Sequence, residues 1–589
     1  MNPAARVVPD VASFAVDNGF WYSVPEHLSD DVHVGSIVRV PLSGRRVRGW
    51  VVERANGRVG KLKDIAAVSG AAPVFDERLL DSLLWAARHY VAPVSVLLGR
   101  SSPPNLPRKI PGALGTPATD WSGSALADVV SKSAGRLRTP VLAVVGNWRR
   151  LDWLAPLMPV LTEGRSALVV AASAAEVTEI GSAAKELFED LAVTVSGEDD
   201  KTDTRAWEAA QSSPRVVIGT PKTASWMIGD LGLAIVLEEG RRAMKDRQTP
   251  TIHVRDLMRM RSRLEGFNLV FYGPTPSVEL LAAGAEIVHE STRAWPLVEV
   301  VDRTEDRPGS GFLSERALAA ISATANAGER VFVFTHRRAG FASMRCSRCR
   351  SLRGCPQCGT RVGRVESCPR CEAAIGACRN CGNTEFEEMG TIPERLVAEI
   401  NRRMGTGAAM VHPGDGQVLV GTERDLAGLP MVTLAVAADV DGMLLGTGYR
   451  TSEEALRQLA RLALTVREGT GARLMLQTSR PESLLLTTMR RADPIPYLER
   501  VLVERAREGA PPAADMIAVE IRGQVPDTVV ADLSSLEGTV AMGPIEVPEG
   551  KRWLLTGSLG KTRLELRPLV GRWRDGGATV RVDTDPIDV

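Results

Sequence analysis

The sequence predicts a multidomain α/β protein. It should have a β-rich N-terminal domain, two α/β lobes with parallel sheets, a metal-binding insertion in the second lobe and a C-terminal α/β domain. Three observations predict this class. The chain has 589 residues, more than the roughly 250–300 that one core accommodates. Short buried-strand patterns alternate with helical patterns in two successive regions. All eight cysteines fall in one short stretch of the second region.

The N-terminal domain is assigned to residues 1–104. Its stretch VGSIVRVPLSGRRVRGWVVE alternates apolar and polar residues around a Gly-Arg-Arg turn, which is typical of a β-hairpin. Residues 76–99 have the apolar spacing of a helix. Residues 105–136 are rich in Pro, Gly and Ser, which predicts a linker.

Two lobes follow, at residues 137–290 and 291–485. The first contains the strand-like runs PVLAVVG, SALVVAA, RVVIGT, LAIVLEE and NLVFYG. The second contains RVFVFTH, then an insertion at residues 340–390, then QVLVGT, VTLAVAAD and RLMLQTS. Helical segments separate the runs, which favours parallel sheets with crossover helices. Residues 486–589 form a further domain with the strands DMIAVEI and RWLLTG.

The cysteines form four Cys-x-x-Cys pairs within the insertion. They are Cys346/Cys349, Cys355/Cys358, Cys368/Cys371 and Cys378/Cys381. Tetrahedral zinc takes four thiolates, so eight cysteines predict two closed, structural zinc sites. Disulfides, redox-active dithiols and an iron–sulfur cluster are the alternatives. Spacing leaves the pairing open, because neighbouring pairs could combine or the outer four could enclose the inner four.

Charge and hydropathy exclude some classes of function. The net charge is +1, so a nucleic-acid partner must be met by local basic patches. One such patch is the insertion, where residues 345–370 hold seven arginines and a single acid. We find no secretory leader and no run of 18 apolar residues, so we expect a cytoplasmic, nucleoid-associated protein without a membrane partner.

Tandem α/β lobes suggest a nucleotide-driven motor, but the phosphate-binding loop is missing. The first strand, PVLAVVG, is followed by NWRRLDWL, which lacks the glycine, lysine and Ser/Thr of such a loop. Gly560-Lys561-Thr562 resembles part of one, but we expect no helix behind it. After strand LAIVLEE, Leu237 replaces the magnesium-binding aspartate. We expect the following Glu238 and Glu239 to be an ordinary exposed strand end.

Several stretches together resemble the PriA family of primosomal replication-restart proteins. They are the four Cys-x-x-Cys pairs, the flanking HRRAGFASMRC and MGTIPERLVAEI, the opening FWYSVPEHLSDDVHVGSIVRVPLSGRRVRGWVVE and the closing VRVDTDPIDV. The resemblance covers nearly the whole chain. It implies a domain that reads DNA 3′ ends, a winged helix shortened here into residues 105–136, two helicase lobes with a zinc insertion, and a C-terminal domain.

The resemblance also implies a nested zinc pairing. The outer site would be Cys346, Cys349, Cys378 and Cys381, and the inner site Cys355, Cys358, Cys368 and Cys371. The helicase motifs depart from the family pattern. Glu238, Glu239 and Arg467 would be the remnants of a degenerate nucleotide site, so we expect no catalytic residues and no ATP binding.

The candidate DNA contacts lie in the N-terminal domain. They are Trp21, Tyr22, Arg39, Arg45, Arg46 and Arg48. Trp21 stands where the family has an aspartate, and an indole cannot accept a hydrogen bond from a 3′-OH although it can stack on a base. Core packing of the aromatic residues and a solvated hairpin turn are the alternatives.

We therefore expect a replication-restart protein that binds branched or single-stranded DNA at abandoned forks and helps load the replicative helicase, without helicase activity of its own. Expected partners are primosome proteins, including the replicative helicase or its loader, and single-stranded-DNA-binding protein. One alternative is an active 3′–5′ helicase with a divergent nucleotide site. The other is a protein-interaction scaffold that does not touch DNA.

Overall fold

A computed structural model describes most of residues 3–587. The ranges outside the description are 57–60, 117–140, 291–292, 305, 307–310, 337–343, 350, 358, 360–361, 364, 369–371, 389–391, 406–407, 411–415, 446–447 and 548–549. Most of the predicted linker, together with Cys358 and Cys371, therefore lies outside the described residues.

The N-terminal region is a five-stranded antiparallel sheet followed by two helices. The predicted hairpin forms, with its two-residue turn at Ser43 and Gly44, which both have positive φ as a type I′ turn requires. The apolar segment at 76–99 is divided by Pro93 into two helices. The elements are β1 (Pro3–Pro9), β2 (Phe20–Ser23), β3 (Ile37–Leu42), β4 (Arg45–Asn56), β5 (Ala67–Ser69), α1 (Glu77–His89) and α2 (Val94–Ser101), in sheet order β2-β1-β4-β3-β5.

The first lobe is a seven-stranded parallel sheet covered by helices. All five predicted strands form, and their carboxyl ends share one edge. The strands are β6 (Val141–Val145), β7 (Ser166–Val170), β8 (Ala192–Val195), β9 (Val216–Gly219), β10 (Leu231–Leu237), β11 (Asn268–Gly273) and β12 (Glu286–His289), in order β12-β6-β11-β10-β7-β9-β8. The helices are α3 (Met158–Thr162), α4 (Ala174–Phe188), α5 (Asp200–Ala210), α6 (Val254–Glu265) and α7 (Val278–Ala282).

The second lobe is a six-stranded parallel sheet, and the cysteine-rich insertion leaves it as a small antiparallel ribbon. Its strands are β13 (Leu297–Asp302), β14 (Val331–Phe334), the ribbon β15 (Met344–Cys346) and β16 (Phe386–Glu388), then β17 (Ala408–Met410), β18 (Val418–Gly421), β19 (Leu434–Ala437) and β20 (Arg473–Thr478), in order β13-β20-β19-β14-β18-β17. The helices are α8 (Glu315–Asn326), α9 (Pro393–Met404), α10 (Val440–Met443), α11 (Thr451–Leu464), α12 (Leu484–Arg491) and α13 (Ile495–Glu508).

The C-terminal region is a four-stranded antiparallel sheet with two helices. Its elements are β21 (Asp515–Arg522), α14 (Val529–Ser534), β22 (Thr539–Val547), β23 (Gly550–Gly557), α15 (Leu559–Asp575) and β24 (Thr579–Thr584), in sheet order β22-β23-β21-β24. The buried Lys245 of the first lobe pairs with Asp583 at 2.6 Å and donates to the Thr584 carbonyl at 2.7 Å, which ties β24 to that lobe.

The predicted multidomain α/β class is confirmed, with both lobes built on parallel sheets. One apolar cluster joins Leu83 and Leu97 of the N-terminal helices to Val236 in the centre of the first lobe. Burial of such a continuous surface couples the two regions. None of the helices among the described residues is long and apolar enough to cross a membrane.

Candidate functional site

The loop after β6 occupies the position of a phosphate-binding loop, and a carboxylate of the same chain lies on it. Glu290, which follows β12, accepts a hydrogen bond from the Asn147 backbone N–H at 3.1 Å. Tyr272 donates a short hydrogen bond to the other Glu290 oxygen. A Cβ placed on Gly146 would clash with this carboxylate. The backbone N–H that could bind a phosphate is therefore already bonded to a carboxyl group of the same chain.

Two tryptophans fill the space beside this loop. Trp148 and Trp153 are 3% and 2% exposed, and the Trp153 indole donates to the Trp148 carbonyl at 2.6 Å. The cavity that remains between Trp148, Glu238 and Arg461 measures about 10 Å³. That volume holds about one water molecule. A cavity of that size is far smaller than a nucleotide.

Glu238 lies at the centre of a buried ion-pair network, so the expectation of an exposed strand end was wrong. The residue is 4% exposed, at the carboxyl end of β10. It pairs with Arg241 at 3.1 Å and with Arg461 of α11 at 2.9 Å. Arg241 also binds Glu176 at 2.6 Å, and Arg461 also binds Glu423 at 2.7 Å. Carboxylates and guanidinium groups alternate across the two lobes, so each buried charge has a partner.

Burial and the arginines act in opposite directions on the Glu176 carboxyl. Burial alone would raise its pKa, but Arg241 and Arg461 outweigh this effect and leave the pKa below its ordinary value. Glu176 is therefore an anion at neutral pH, fixed beside two guanidinium groups.

Glu239 is also buried and was also wrongly expected to be exposed. It is 2% exposed and accepts the Ser277 N–H at 2.7 Å, and Arg255 lies 3.6 Å away. Burial raises the pKa of Glu239 to about 7, because Arg255 and the Ser277 N–H offset only part of the desolvation. Its second oxygen has no hydrogen-bond partner among the described residues.

Arg467 does not belong to the interlobe cleft. It lies beyond the end of α11, is 38% exposed in its side chain, and pairs with Glu329 at 3.1 Å and with the Thr433 hydroxyl at 2.8 Å. The arginine that reaches Glu238 is Arg461, which sequence reasoning missed. A signal was available, because Glu453, Arg457 and Arg461 recur every four residues and must share one helix face.

Gly560-Lys561-Thr562 lies in the first turn of α15, so the expectation that no helix opens there was wrong. The side chains are nevertheless used internally. Lys561 pairs with Glu537 and with Glu565, and the Thr562 hydroxyl bonds to that of Thr539 at 2.6 Å.

The hairpin arginines form a basic edge on the N-terminal sheet. Arg39 is exposed on β3 directly opposite Arg48 on β4, and Arg46 lies two residues from Arg48 on the same strand face. Arg45 is exposed beside the turn. Arg48 is half-buried with its guanidinium 5.4 Å from the Trp50 ring, and burial lowers its pKa. The three exposed arginines are free to meet phosphate groups.

The two aromatic candidates are separated from these arginines. Tyr22 is 3% exposed within the apolar core of the sheet, so it cannot stack on a base, and its proposed DNA contact was wrong. Trp21 is half-buried on β2. Trp21 pairs with Arg6 of β1, and Arg6 pairs with Glu53 of β4, five residues along that strand from Arg48. At about 3.3 Å per residue, this places Trp21 about 15 Å or more from the hairpin arginines. The 41%-exposed Phe20 is the more accessible ring.

The outer four cysteines converge on one point. The sulfur atoms of Cys346, Cys349, Cys378 and Cys381 all lie within 4.8 Å of one another, and two of the separations are 3.5 Å. Tetrahedral zinc with bonds of about 2.3 Å needs sulfurs about 3.8 Å apart. The cluster therefore fits zinc, with the outer pairing that the family resemblance implied. The Ser351 side chain and backbone lower the pKa of Cys349 to about 5, which favours the thiolate ligand.

Half of the inner set lies within the described residues. Cys355 and Cys368 are buried together with Val362 and Ile375 in a small cluster. The Gln357 N–H donates to the Cys355 sulfur at 3.4 Å, as in the turn of a metal knuckle. Cys358 and Cys371 lie outside the described residues, so the second site remains a prediction.

The fold combines two parallel α/β lobes, a cysteine cluster and a β-rich N-terminal domain, and comparisons with known proteins find similar chains. The model of a family described as "3'DNA-binding domain (3'BD)" of PriA matches residues 6–103. The "Probable replication restart protein PriA" of Mycobacterium tuberculosis is 24% identical over 91% of this chain and 90% of its own length. The "Replication restart protein PriA" of Haemophilus influenzae is 25% identical over 60% of this chain and 55% of its own length. Residues 6–103 thus match the PriA 3′ DNA-binding domain, and over most of its length the chain is similar to PriA replication-restart proteins.

Among solved structures, the chain is similar to "S. cerevisiae Dbp5 bound to RNA and ADP BeF3". The TM-score is 0.37 at 10% identity, over 65% of this chain and 93% of that chain.

Replacing the buried Glu239 should change the pH dependence of stability. Its pKa is raised in the folded state from an ordinary 4.5 to about 7, so the wild type loses stability as pH rises from about 4.5 through 7. Glu239→Gln cannot ionise. We expect its advantage in free energy of unfolding to be small at pH 5 and about 3 kcal/mol at pH 8. Urea denaturation at several pH values measures it. The exposed Glu499→Gln on α13 is the control, and a pH-independent difference would contradict the assignment.

Removing one outer cysteine should remove one zinc. Cys378 is buried in the cluster, and three thiolates do not close a structural site. We expect Cys378→Ser to lower the zinc content of purified protein by about one ion per chain, measured by elemental analysis. The exposed Arg348→Ala lies in the same turn region and should leave the zinc content unchanged. An unaltered zinc content in Cys378→Ser would show that the outer cluster is not a metal site.

Proposed function

We propose that this protein is a replication-restart factor that binds branched or single-stranded DNA at abandoned forks and promotes primosome assembly without unwinding DNA itself. The interlobe cleft is the observation that supports a lack of ATP hydrolysis. Its volume is about 10 Å³, and Glu290 occupies the backbone N–H of the loop after β6. Phosphoryl transfer needs a phosphate cradle, a metal ligand and a free arginine together. Here Leu237 replaces the metal ligand and Arg461 is neutralised by Glu238 and Glu423.

DNA binding is supported by the N-terminal domain. The family match over residues 6–103 describes a 3′ DNA-binding domain, and that region exposes Arg39, Arg45 and Arg46 on one hairpin. Guanidinium groups neutralise backbone phosphates without reading sequence, which suits a protein that acts at any fork. Trp21 in place of an acceptor carboxylate favours base stacking over recognition of a terminal 3′-OH.

The cysteine-rich ribbon is proposed to hold two structural zinc ions, one in the outer cluster and one in the inner set. With few apolar residues of its own, the ribbon depends on metal for its shape. Its basic surface is the leading candidate for contact with primosome proteins, among them the replicative helicase or its loader and single-stranded-DNA-binding protein.

A single experiment separates this function from its alternatives. Zinc-replete protein is titrated against a model fork while ATP hydrolysis is followed in the same samples. Tight, salt-sensitive binding without DNA-stimulated hydrolysis is the expected result. Robust hydrolysis that Glu239→Gln abolishes would establish a helicase. An absence of fork binding would leave a protein-interaction scaffold.

The hairpin arginines should account for part of the salt dependence of fork binding. Each phosphate contact contributes about 0.9 to the slope of log K against log salt. We expect Arg39→Ala/Arg46→Ala to weaken fork binding and to reduce this slope by about two. Arg500→Ala, which removes an exposed arginine on α13, is the matched control. An unchanged slope in the double variant would exclude the hairpin as a phosphate-binding surface.

A further inference from the structure

The two lobes are joined by buried ion pairs in place of a nucleotide. Glu176 and Glu238 belong to the first lobe, and Arg461 and Glu423 to the second. Arg461 binds Glu238 at 2.9 Å and Glu423 at 2.7 Å, with Glu176 at 3.7 Å. The Arg461, Glu176 and Glu238 side chains are each less than 5% exposed. A guanidinium of the second lobe thus meets carboxylates where a motor would present phosphate.

A second buried network crosses the same boundary. Glu279 on α7 of the first lobe pairs with Arg450, which precedes α11, and with Arg505 on α13 at 3.2 Å. Arg505 also pairs with Glu453 of α11. The Glu453 carboxylate in turn accepts the Val278 N–H at 3.2 Å, so the second lobe supplies a cap for a helix of the first.

Apolar side chains cross the boundary in both directions. Leu464 of α11 packs in the apolar cluster of the first lobe that contains Trp148. Val278 of the first lobe packs in the main cluster of the second. At the rim, Arg150 pairs with Glu468 at 2.6 Å and Arg149 donates to the Leu429 carbonyl at 2.8 Å.

In a P-loop motor, an arginine from one side stabilises phosphate held by the other, so hydrolysis and release of the nucleotide change the contact. A carboxylate of the same chain cannot diffuse away from the site, so its effective concentration at the arginine stays high. A ligand shifts a conformational equilibrium only by its differential affinity for the two states. A cleft without room for a nucleotide gives ATP no difference in affinity between an open and a closed arrangement of the lobes.

We propose that these internal ion pairs hold the lobes permanently closed, so that ATP neither closes nor opens the protein. The proposal rests on the proposed function, because it explains how the N-terminal domain, which packs on the first lobe, and the cysteine-rich ribbon of the second lobe keep one relative geometry without ATP hydrolysis. The seam between the lobes is formed by residues 147–154 and 423–429. Protection of their backbone amides from hydrogen exchange reports whether the seam is closed.

Hydrogen exchange of the full-length, zinc-replete protein tests this, with and without millimolar ATP and Mg²⁺. We expect the seam segments of the wild type to be protected and to change less than twofold with ATP. Arg461→Ala should speed their exchange at least tenfold while β7 and β19, in the interiors of the two lobes, stay protected. Arg500→Ala, which breaks only the exposed pair with Glu504, is the matched control.

A wild-type seam that exchanges as fast as exposed loops, or one that ATP protects, would overturn the proposal. If Arg461→Ala also exposes β7 and β19, Glu238→Gln replaces it, since this variant removes the charge of the cross-lobe pair from the first lobe and keeps the side-chain volume. Its seam should then exchange faster than that of the wild type, and no change would count against the lock. If the seam is open in protein that binds forks without hydrolysing ATP, the proposed permanent closure of the lobes is wrong. The proposed function is then unaffected.

Discussion

The arrangement of the two lobes depends on the buried ion pair between Arg461 and Glu238. Burying two charges is costly, and the attraction between them repays that cost only when the geometry is good and the remaining hydrogen-bonding capacity is satisfied. Arg241, Glu176 and Glu423 supply those further partners. The network therefore contributes less to overall stability than to specificity, because any other apposition of the lobes would leave buried charges unpaired.

The same physical requirements explain how groups of the chain itself satisfy the cleft between the lobes. The carboxyl edge of a parallel sheet presents backbone N–H groups and charged side chains that must be satisfied by something. Glu290 satisfies the loop after β6, and Trp148 occupies the volume. Substitution by internal groups leaves the strand order and crossover helices undisturbed.

The surfaces proposed for DNA and partner contact lie away from this seam. The hairpin arginines are on the N-terminal sheet, and the cysteine cluster is on a ribbon that leaves the second lobe. Strand pairing holds the first, and metal ligation would hold the second. Under the proposed function, neither surface depends on nucleotide chemistry for its shape.

The sequence by itself determined the features that depend on local pattern. Every strand singled out by its apolar run forms, because a strand buried on both faces must be apolar throughout. The short or partly polar strands β8, β12, β17 and β22 were not predicted, because their pairing is set by neighbours distant in sequence. The Cys-x-x-Cys spacing likewise indicated metal but left the pairing open, and the outer four cysteines that the family resemblance paired are the ones that the folded ribbon brings together.

Only the tertiary structure decided the state of Glu238, Glu239 and Tyr22. Each was placed in the right element, yet burial is a property of what packs against that element. Glu238 is buried because α11, more than 200 residues later in the chain, brings Arg461 to it. Glu290 is separated from Asn147 by a similarly long segment, and only the adjacency of β12 and β6 joins them. Charge pairing across such distances leaves no periodic trace in a single sequence, because the partners share a site without sharing an element.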